Sequence, residues 1–202
     1  MPGIVGVIRK SSGADASIQV CVMTQRMCHE SFHKAGGWSD ATIGTALGWV
    51  IEEGTFSDCL PIWNERRDVL LLFSGEHFGE HDSVVAQLRA KGHDTGSTDA
   101  RYLVHLYEES GIEAFLRALN GWFSGVVVDL REGTVTLFND RYGLKRVYFH
   151  EAADAFWFAS EAKALLAAVP DLRRFDPVGL GEYFSCGCAL QQRTLFQGIQ
   201  QL

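Results

Sequence analysis

The chain opens on an apolar run, Gly3, Ile4, Val5, Gly6, Val7 and Ile8, set directly behind Pro2. Most domains begin with a few frayed polar residues. A strand that enters a sheet at once makes sense where the first residues must occupy a defined place inside the fold. Further alternating or continuous apolar runs at 43–51, 68–73, 122–130, 134–138, 146–149 and 155–159 predict strands, several joined by short turns such as Arg131-Glu132-Gly133. A helical period predicts helices over 15–29, 82–91 and 98–118, with a short one at 160–168. In the third zone Tyr102, Leu103, Leu106 and Tyr107 share one face, and Asp99 falls in the first turn, where a carboxylate suits the helix dipole. Gly111 breaks that helix, and Phe115, Leu116 and Leu119 carry its second part. There is no internal repeat, low-complexity stretch or proline-rich linker, so the pattern predicts one α+β domain over 1–202, with stacked sheets and helices outside. The last segment, Arg193 to Leu202, reads as a turn followed by a fresh apolar pattern, which leaves open whether residue 202 is a natural end.

Composition narrows the class. The 202 residues are 47% hydrophobic and 21% charged, ordinary for a globular chain able to bury roughly 70% of its unfolded surface. A net charge of -7, with Arg66-Arg67 and Arg173-Arg174 as the paired arginines, argues against nucleic acid, whose phosphates need clustered cations. No apolar stretch approaches a membrane span of ~18 residues, and no signal peptide leads the chain, so a cytoplasmic protein without membrane contact is expected. The cysteines, Cys21, Cys28, Cys59, Cys186 and Cys188, are odd in number and follow no framework, which reads as free thiols.

Several local motifs carry little chemistry. His77-Phe78-Gly79-Glu80-His81 fits H-x-x-E-H, in which two histidines one helical turn apart bind zinc. Gly75 and Gly79 flank His77 directly behind a strand, so the match reads as chance on a loop. Cys28 and His29 are adjacent and point ~100° apart on a helix, which separates them as nucleophile and base. Cys28 reads as a small core hydrophobe, and neither it with His29 and His33 nor Cys186-Gly-Cys188 has the spacing of a zinc site. Asp140-Arg141-Tyr142-Gly143 reads as a turn with Gly143 left-handed. No nucleotide-cradling loop and no G-x-S-x-G occurs, and no metal is expected.

In chain order, "PGIVGV", "FSGEHF", "GSTDARYLVHLYEESG", "LNGWFSGVVVD", "NDRYGLKRVYF", "FASEAKALLA" and "RTLFQGIQQL" together resemble the glutaminase domain of asparagine synthetases, a class II glutamine amidotransferase among the N-terminal nucleophile hydrolases. The resemblance implies a four-layer αββα sandwich whose first residue, once methionine is removed, is a catalytic cysteine at the end of a central strand, with its own α-amino group as base. On that frame the nucleophile position is Pro2. The arginine that grips the glutamine carboxylate falls on Ile51, and the oxyanion-hole asparagine on Ser74. Gly75, whose amide completes the hole, Glu76, and Asp99, which would hold the substrate α-amino group, are retained. The R-G-P-D loop beside the pocket falls on Glu30, Ser31, Phe32 and His33.

Losses at side chains that meet substrate, against a kept core, imply a degenerate, non-hydrolytic domain. It would act as scaffold or interface for a C-terminal ATP-dependent amide-forming domain, in cis or in trans. ATP and magnesium would belong to that synthetase domain and no cofactor to this one; a homodimer stays open. The alternatives are an active amidotransferase that recruits another thiol, for which Cys21 and Cys28 lie on a predicted helix far along the chain, a Pro2 amine acting as base or imine-forming nucleophile, and a stand-alone binding or regulatory module. Arg26 or Arg101 would be the cations able to replace the missing carboxylate clamp.

Overall fold

The computed structural model describes residues 2–11, 16–79, 81–96 and 99–202. They form two compact units, the residues up to Val50 together with Arg146–Leu202, and Ile51–Lys145. The starts of the helices expected from 15 and from 98 lie outside the described residues.

The first unit is built on β1 (Gly3–Arg9), α1 (Ser17–Met27), β2 (Lys34–Asp40) and β3 (Thr45–Ile51), which ends where the second unit begins. The chain returns to it later with further strands at Tyr148–Glu151 and Ala155–Ala159, helices at Ala162–Ala168 and Pro177–Cys186, and a last strand at Gln200–Gln201. The six strands form one sheet with β1 inside it, antiparallel to β3 on one side and to Ala155–Ala159 on the other. Ile4, Val5 and Val7 are buried, and so are Ala46, Leu47 and Val50. An inner strand buried on both faces reads as an apolar run without alternation, which is the opening pattern of the sequence. Helix α1 lies close against the sheet because Gly48 has no side chain; a Cβ there would sit 2.2 Å from Thr24 Oγ1. The Thr24 hydroxyl donates to the Val20 carbonyl at 2.8 Å, so its polar atom is satisfied inside the interface. Val20, Met23 and Met27 then pack with Val5, Val7, Ala164 and Leu165. Cys28 packs partly buried against this cluster, as a small hydrophobe does.

The second unit holds β4 (Ile62–Trp63), β5 (Val69–His77), α2 (His81–Ala90), α3 (Tyr102–Ala118), β6 (Gly121–Asp129) and β7 (Thr134–Asn139). Its strands form an antiparallel sheet in the order β4-β5-β6-β7, and α3 packs on β5 and on α2. Val69 to Phe73 are fully buried, and Phe73 stacks on Phe123 with ring centroids 5.4 Å apart. Gly111 interrupts α3 at φ 71° and ψ 171°, the break expected of it.

Two differences from the sequence pattern have physical causes. Asp99 lies ahead of α3, which begins at Tyr102, and its Oδ1 accepts the Arg101 N–H at 3.0 Å, so it closes a turn instead of occupying a first helical turn. The strand β2 and the helix Pro177–Cys186 were not foreshadowed by periodicity. β2, Lys-Ala-Gly-Gly-Trp-Ser-Asp, is an edge strand with no fully buried residue. The helix exposes Val178, Tyr183 and Phe184. Its ends were marked instead by Asp176, whose carboxylate caps Val178 and Gly179, and by left-handed Gly187.

Asp129 closes β6 as a buried anion. It accepts from Arg131 Nη2 at 2.6 Å and from the Tyr107 hydroxyl at 3.0 Å. The Arg131 guanidinium, opposed by burial and helped by Tyr107, holds its carboxyl down at about 2, against an ordinary 3.8. A lowered folded-state pKa stabilises above the unfolded value, and that stability is lost as pH falls from about 4 towards about 2. The contribution is about 2 kcal/mol. Asp129→Asn is therefore expected to lower stability at neutral pH by about 2 kcal/mol and to flatten the acid limb. Urea unfolding at a series of pH values checks this, and an unchanged slope between pH 4 and 2 would refute it.

Candidate functional site

Three of the motif positions, Ser74, Gly75 and Glu76, lie on β5, and Asp99 lies ahead of α3. Ser74 is buried and faces Ser124 across the ladder, Gly75 faces Phe123, and Glu76 is exposed opposite Trp122. Gly75 adopts φ 127°, and a Cβ there would lie 1.9 Å from the Trp122 carbonyl oxygen. Only glycine lets the two backbones approach in this way. The Gly75 N–H, the expected oxyanion donor, is donated to Ser57 Oγ at 3.0 Å, and Ser57 donates back to the Gly75 carbonyl at 2.7 Å.

Asp99 is engaged in the same manner. Arg101 Nε lies 2.9 and 3.0 Å from its two oxygens, and Arg101 Nη2 lies 2.5 Å from Oδ2. This forked pairing, ahead of the opposing effect of burial, lowers the Asp99 carboxyl and raises the Arg101 guanidinium. Arg101, one of two candidates to replace the carboxylate clamp, is thus bound to the carboxylate that would receive the substrate amine. Arg26, the other, sits in the last turn of α1.

Cys59 was not singled out by sequence reasoning and lies beside Asp99. Burial first, and the Asp99 charge second, push its thiol up to about 12. A thiol that stays protonated is neither nucleophile nor metal ligand. Cys21, Cys186 and Cys188 are exposed. We expect a disulfide reagent at neutral pH to titrate these three quickly and Cys59 only after unfolding; a fast-reacting Cys59, located by peptide mapping, would contradict this.

Pro2 precedes β1 in the first unit. Gly3 pairs with Val50, and Ile51 is the last residue of β3. Glu30, Ser31 and Phe32 form an exposed turn in which His33 Nδ1 accepts the backbone N–H groups of His29 and Glu30. In H-x-x-E-H, His77 ends β5 and His81 begins α2, so no helical turn joins them; Glu80 lies outside the described residues. Both Nδ1 atoms lie 2.6 Å from the Tyr102 hydroxyl, and His77 Nε2 lies 3.3 Å from the Ala118 carbonyl. One proton order satisfies all four groups: His81 N–H to Tyr102, Tyr102 O–H to His77, His77 N–H to Ala118. These histidines tie β5, α2 and α3 together. Asp140 does similar work, its carboxylate accepting the N–H groups of Tyr142, Leu144 and Lys145, and Gly143 is left-handed at φ 62°.

No helix among the described residues is long and apolar enough to cross a membrane. Compared with known proteins, the chain is 35% identical over 126 residues to an asparagine synthetase (glutamine-hydrolysing) of Zea mays, covering 62% of this chain and 20% of that protein. It is 34% identical over 135 residues to asparagine synthetase 3 of Bacillus subtilis, and 27% identical over 187 residues to asparagine synthetase 1 of Arabidopsis thaliana. These matches span 22% and 31% of those proteins, so the chain corresponds to a minor part of their length. Among solved structures, the glutamine phosphoribosylpyrophosphate amidotransferase of Bacillus subtilis superposes over 82% of this chain and 43% of its own, with a TM-score of 0.65 and 17% identity. That likeness shows the fold, the α+β architecture of N-terminal nucleophile amidotransferases. The family model for a glutamine amidotransferase domain matches residues 1–202. The chain belongs to the class II glutamine amidotransferase domain family, with the asparagine synthetases among its relatives.

Proposed function

We propose that this amidotransferase domain does not hydrolyse glutamine and serves as a scaffold for an ATP-dependent, amide-forming synthetase domain, in cis or in trans. The observation that carries the reading is the state of the two polar groups the family motif retains. The Gly75 amide is engaged by Ser57 and the Asp99 carboxylate by Arg101, so substrate would have to displace a protein partner at each. The remaining substrate-facing positions are Pro2, Ile51 and Ser74, which supply neither thiol, cation nor amide. ATP and magnesium belong, in this reading, to the synthetase domain, and the protein resides in the cytoplasm.

Cys59 argues against a substitute nucleophile, because its thiol is held protonated beside an anion. The test is direct. Purified protein incubated with glutamine should release no ammonia above a heat-treated control, and calorimetry should show no saturable heat up to several millimolar glutamine. Release that a thiol alkylator abolishes would overturn the non-hydrolytic reading, and a dissociation constant below ~1 mM would show that another cation, Arg26 or Arg101, has taken over the clamp. Deleting the domain from a full-length protein should collapse soluble synthetase activity; full retention would overturn the scaffold role.

A further inference from the structure

Away from Gly75 and Asp99, the second unit gathers Glu65, His93, His105 and Glu108 from three separate stretches of chain. Each offers one ligand atom, and the four atoms lie within 4.8 Å of one another. Glu65 sits in the turn between β4 and β5, and His93 just after α2. His105 and Glu108 stand three residues apart on α3, hence on one face.

The hydrogen bonds around the imidazoles fix where their lone pairs point. His105 Nε2 lies 3.0 Å from the Asp94 carbonyl oxygen, an acceptor only, so this nitrogen carries a proton. His105 Nδ1 then faces Glu108 Oε2 at 3.0 Å and Glu65 Oε2 at 3.5 Å. His93 faces a carboxylate with each nitrogen, Nε2 on Glu109 Oε1 at 3.1 Å and Nδ1 on Glu65 Oε1 at 3.5 Å, so a protonated ring donates to both and a neutral ring with its proton on Nε2 turns a lone pair to Glu65. The two rings stack with centroids 4.6 Å apart. Neutral imidazoles held this way direct lone pairs at carboxylate oxygens, and His105 is only 2% exposed. Such a cluster requires positive charge at its centre, supplied by protons on the rings or by a metal ion.

The outer contacts favour the metal. Histidine ligands ordinarily donate their second N–H to a carbonyl or carboxylate, and ligating carboxylates are themselves hydrogen-bonded. Here Asp94 and Glu109 take the histidine N–H groups, Asn64 Nδ2 donates to Glu108 Oε1 at 2.6 Å, and the Asp94 N–H donates to Glu65 Oε1 at 2.9 Å. Two neutral imidazoles and two carboxylates balance a divalent ion. Of the cations beside the cluster, Lys91 pairs with Glu109 and Arg131 with Asp129, and Arg66, next to Glu65, is exposed. Tetrahedral zinc with bonds near 2.1 Å sets ligand atoms about 3.4 Å apart, close to the contacts of 3.0 and 3.5 Å. Glu65, whose side chain is 44% exposed, already lies 3.5 Å from both imidazoles.

We propose that Glu65, His93, His105 and Glu108 form a structural site for a divalent transition metal, zinc by ligand type, clipping the turn before β5 and the segment after α2 to helix α3. All positions are filled by protein, which suits a structural ion, not a catalytic one.

The test uses the chelator-stripped domain and zinc chloride alone. We expect one equivalent bound with an apparent dissociation constant of ~1 µM or tighter, a raised melting temperature, and visible d–d bands of four-coordinate geometry when Co²⁺ is substituted. Glu65→Gln, on an exposed turn, and His93→Gln should each weaken binding at least ~10-fold and abolish the thermal shift. His33→Ala, which alters the contact of His33 with His29 in the first unit, should leave both unchanged. Absence of stoichiometric binding, six-coordinate Co²⁺ bands, or binding lost in His33→Ala and kept in Glu65→Gln would overturn the site.

Discussion

Gly75→Ala is expected to be the most damaging single-methyl change in the protein, costing about 3–5 kcal/mol and lowering the melting temperature by roughly 10 °C. Two effects add. Residue 75 holds φ 127°, a conformation L side chains rarely adopt, and its Cβ would lie 1.9 Å from the Trp122 carbonyl oxygen and 2.9 Å from Phe123 Cα. Both obstacles are backbone atoms of β6, locked by the ladder that runs from Val69↔Asp129 to His77↔Gly121, so neither rotates away. Gly54 separates the two effects, since it also has positive φ, 81°, yet nothing lies within 4 Å of its Cβ. Gly54→Ala should show backbone strain alone, about 1 kcal/mol. Thermal and urea unfolding of both variants decide the matter; a Gly75→Ala loss no greater than that of Gly54→Ala would remove the steric argument.

The same strand shows which parts of the site were legible. Ser-Gly-Glu behind an apolar run marks the motif and its strand, because both are local. The partners are not local. Ser57 reaches Gly75 from eighteen residues away, and Cys59 reaches Asp99 across forty positions of sequence; no periodicity reports such returns. Arg101 stood two residues from Asp99 in plain view, but its pairing needed the turn that precedes α3. The buried strands announced themselves through unbroken apolar runs, whereas β2 did not, because its Ala35 and Trp38 stand three residues apart among Lys, Gly, Ser and Asp and make no alternating apolar face. The helix at Pro177–Cys186 carried its signal in its caps, Asp176 and Gly187. His105-x-x-Glu108 was likewise readable as a same-face pair, while Glu65 and His93 join it only through the fold.

Pro2→Cys alone should leave the protein without measurable glutaminase activity, even where mass spectrometry confirms that Met1 has been removed. On the proposed frame, a thiol at position 2 supplies the nucleophile and nothing else. Loss of one oxyanion donor, here Ser74 in place of an amide side chain, costs ~100- to 1,000-fold. Loss of the cation opposite a desolvated carboxylate, here Ile51, costs roughly 2 to 5 kcal/mol, or at least ~30-fold. If the sites act independently the factors multiply, to at least ~3,000-fold. That product falls on kcat/KM; at saturating glutamine only the oxyanion loss remains, so an enzyme turning over at about 10 per second would fall to ~0.1 per second or less, before counting the displacement of Arg101 from Asp99 and of Ser57 from the Gly75 amide. Adding Ile51→Arg and Ser74→Asn to Pro2→Cys should recover part of that loss, read as ammonia release at saturating glutamine. Turnover above ~0.1 per second in the single variant would show that Ser74 does not occupy the oxyanion position, and the non-hydrolytic reading would then rest on Pro2 and Ile51.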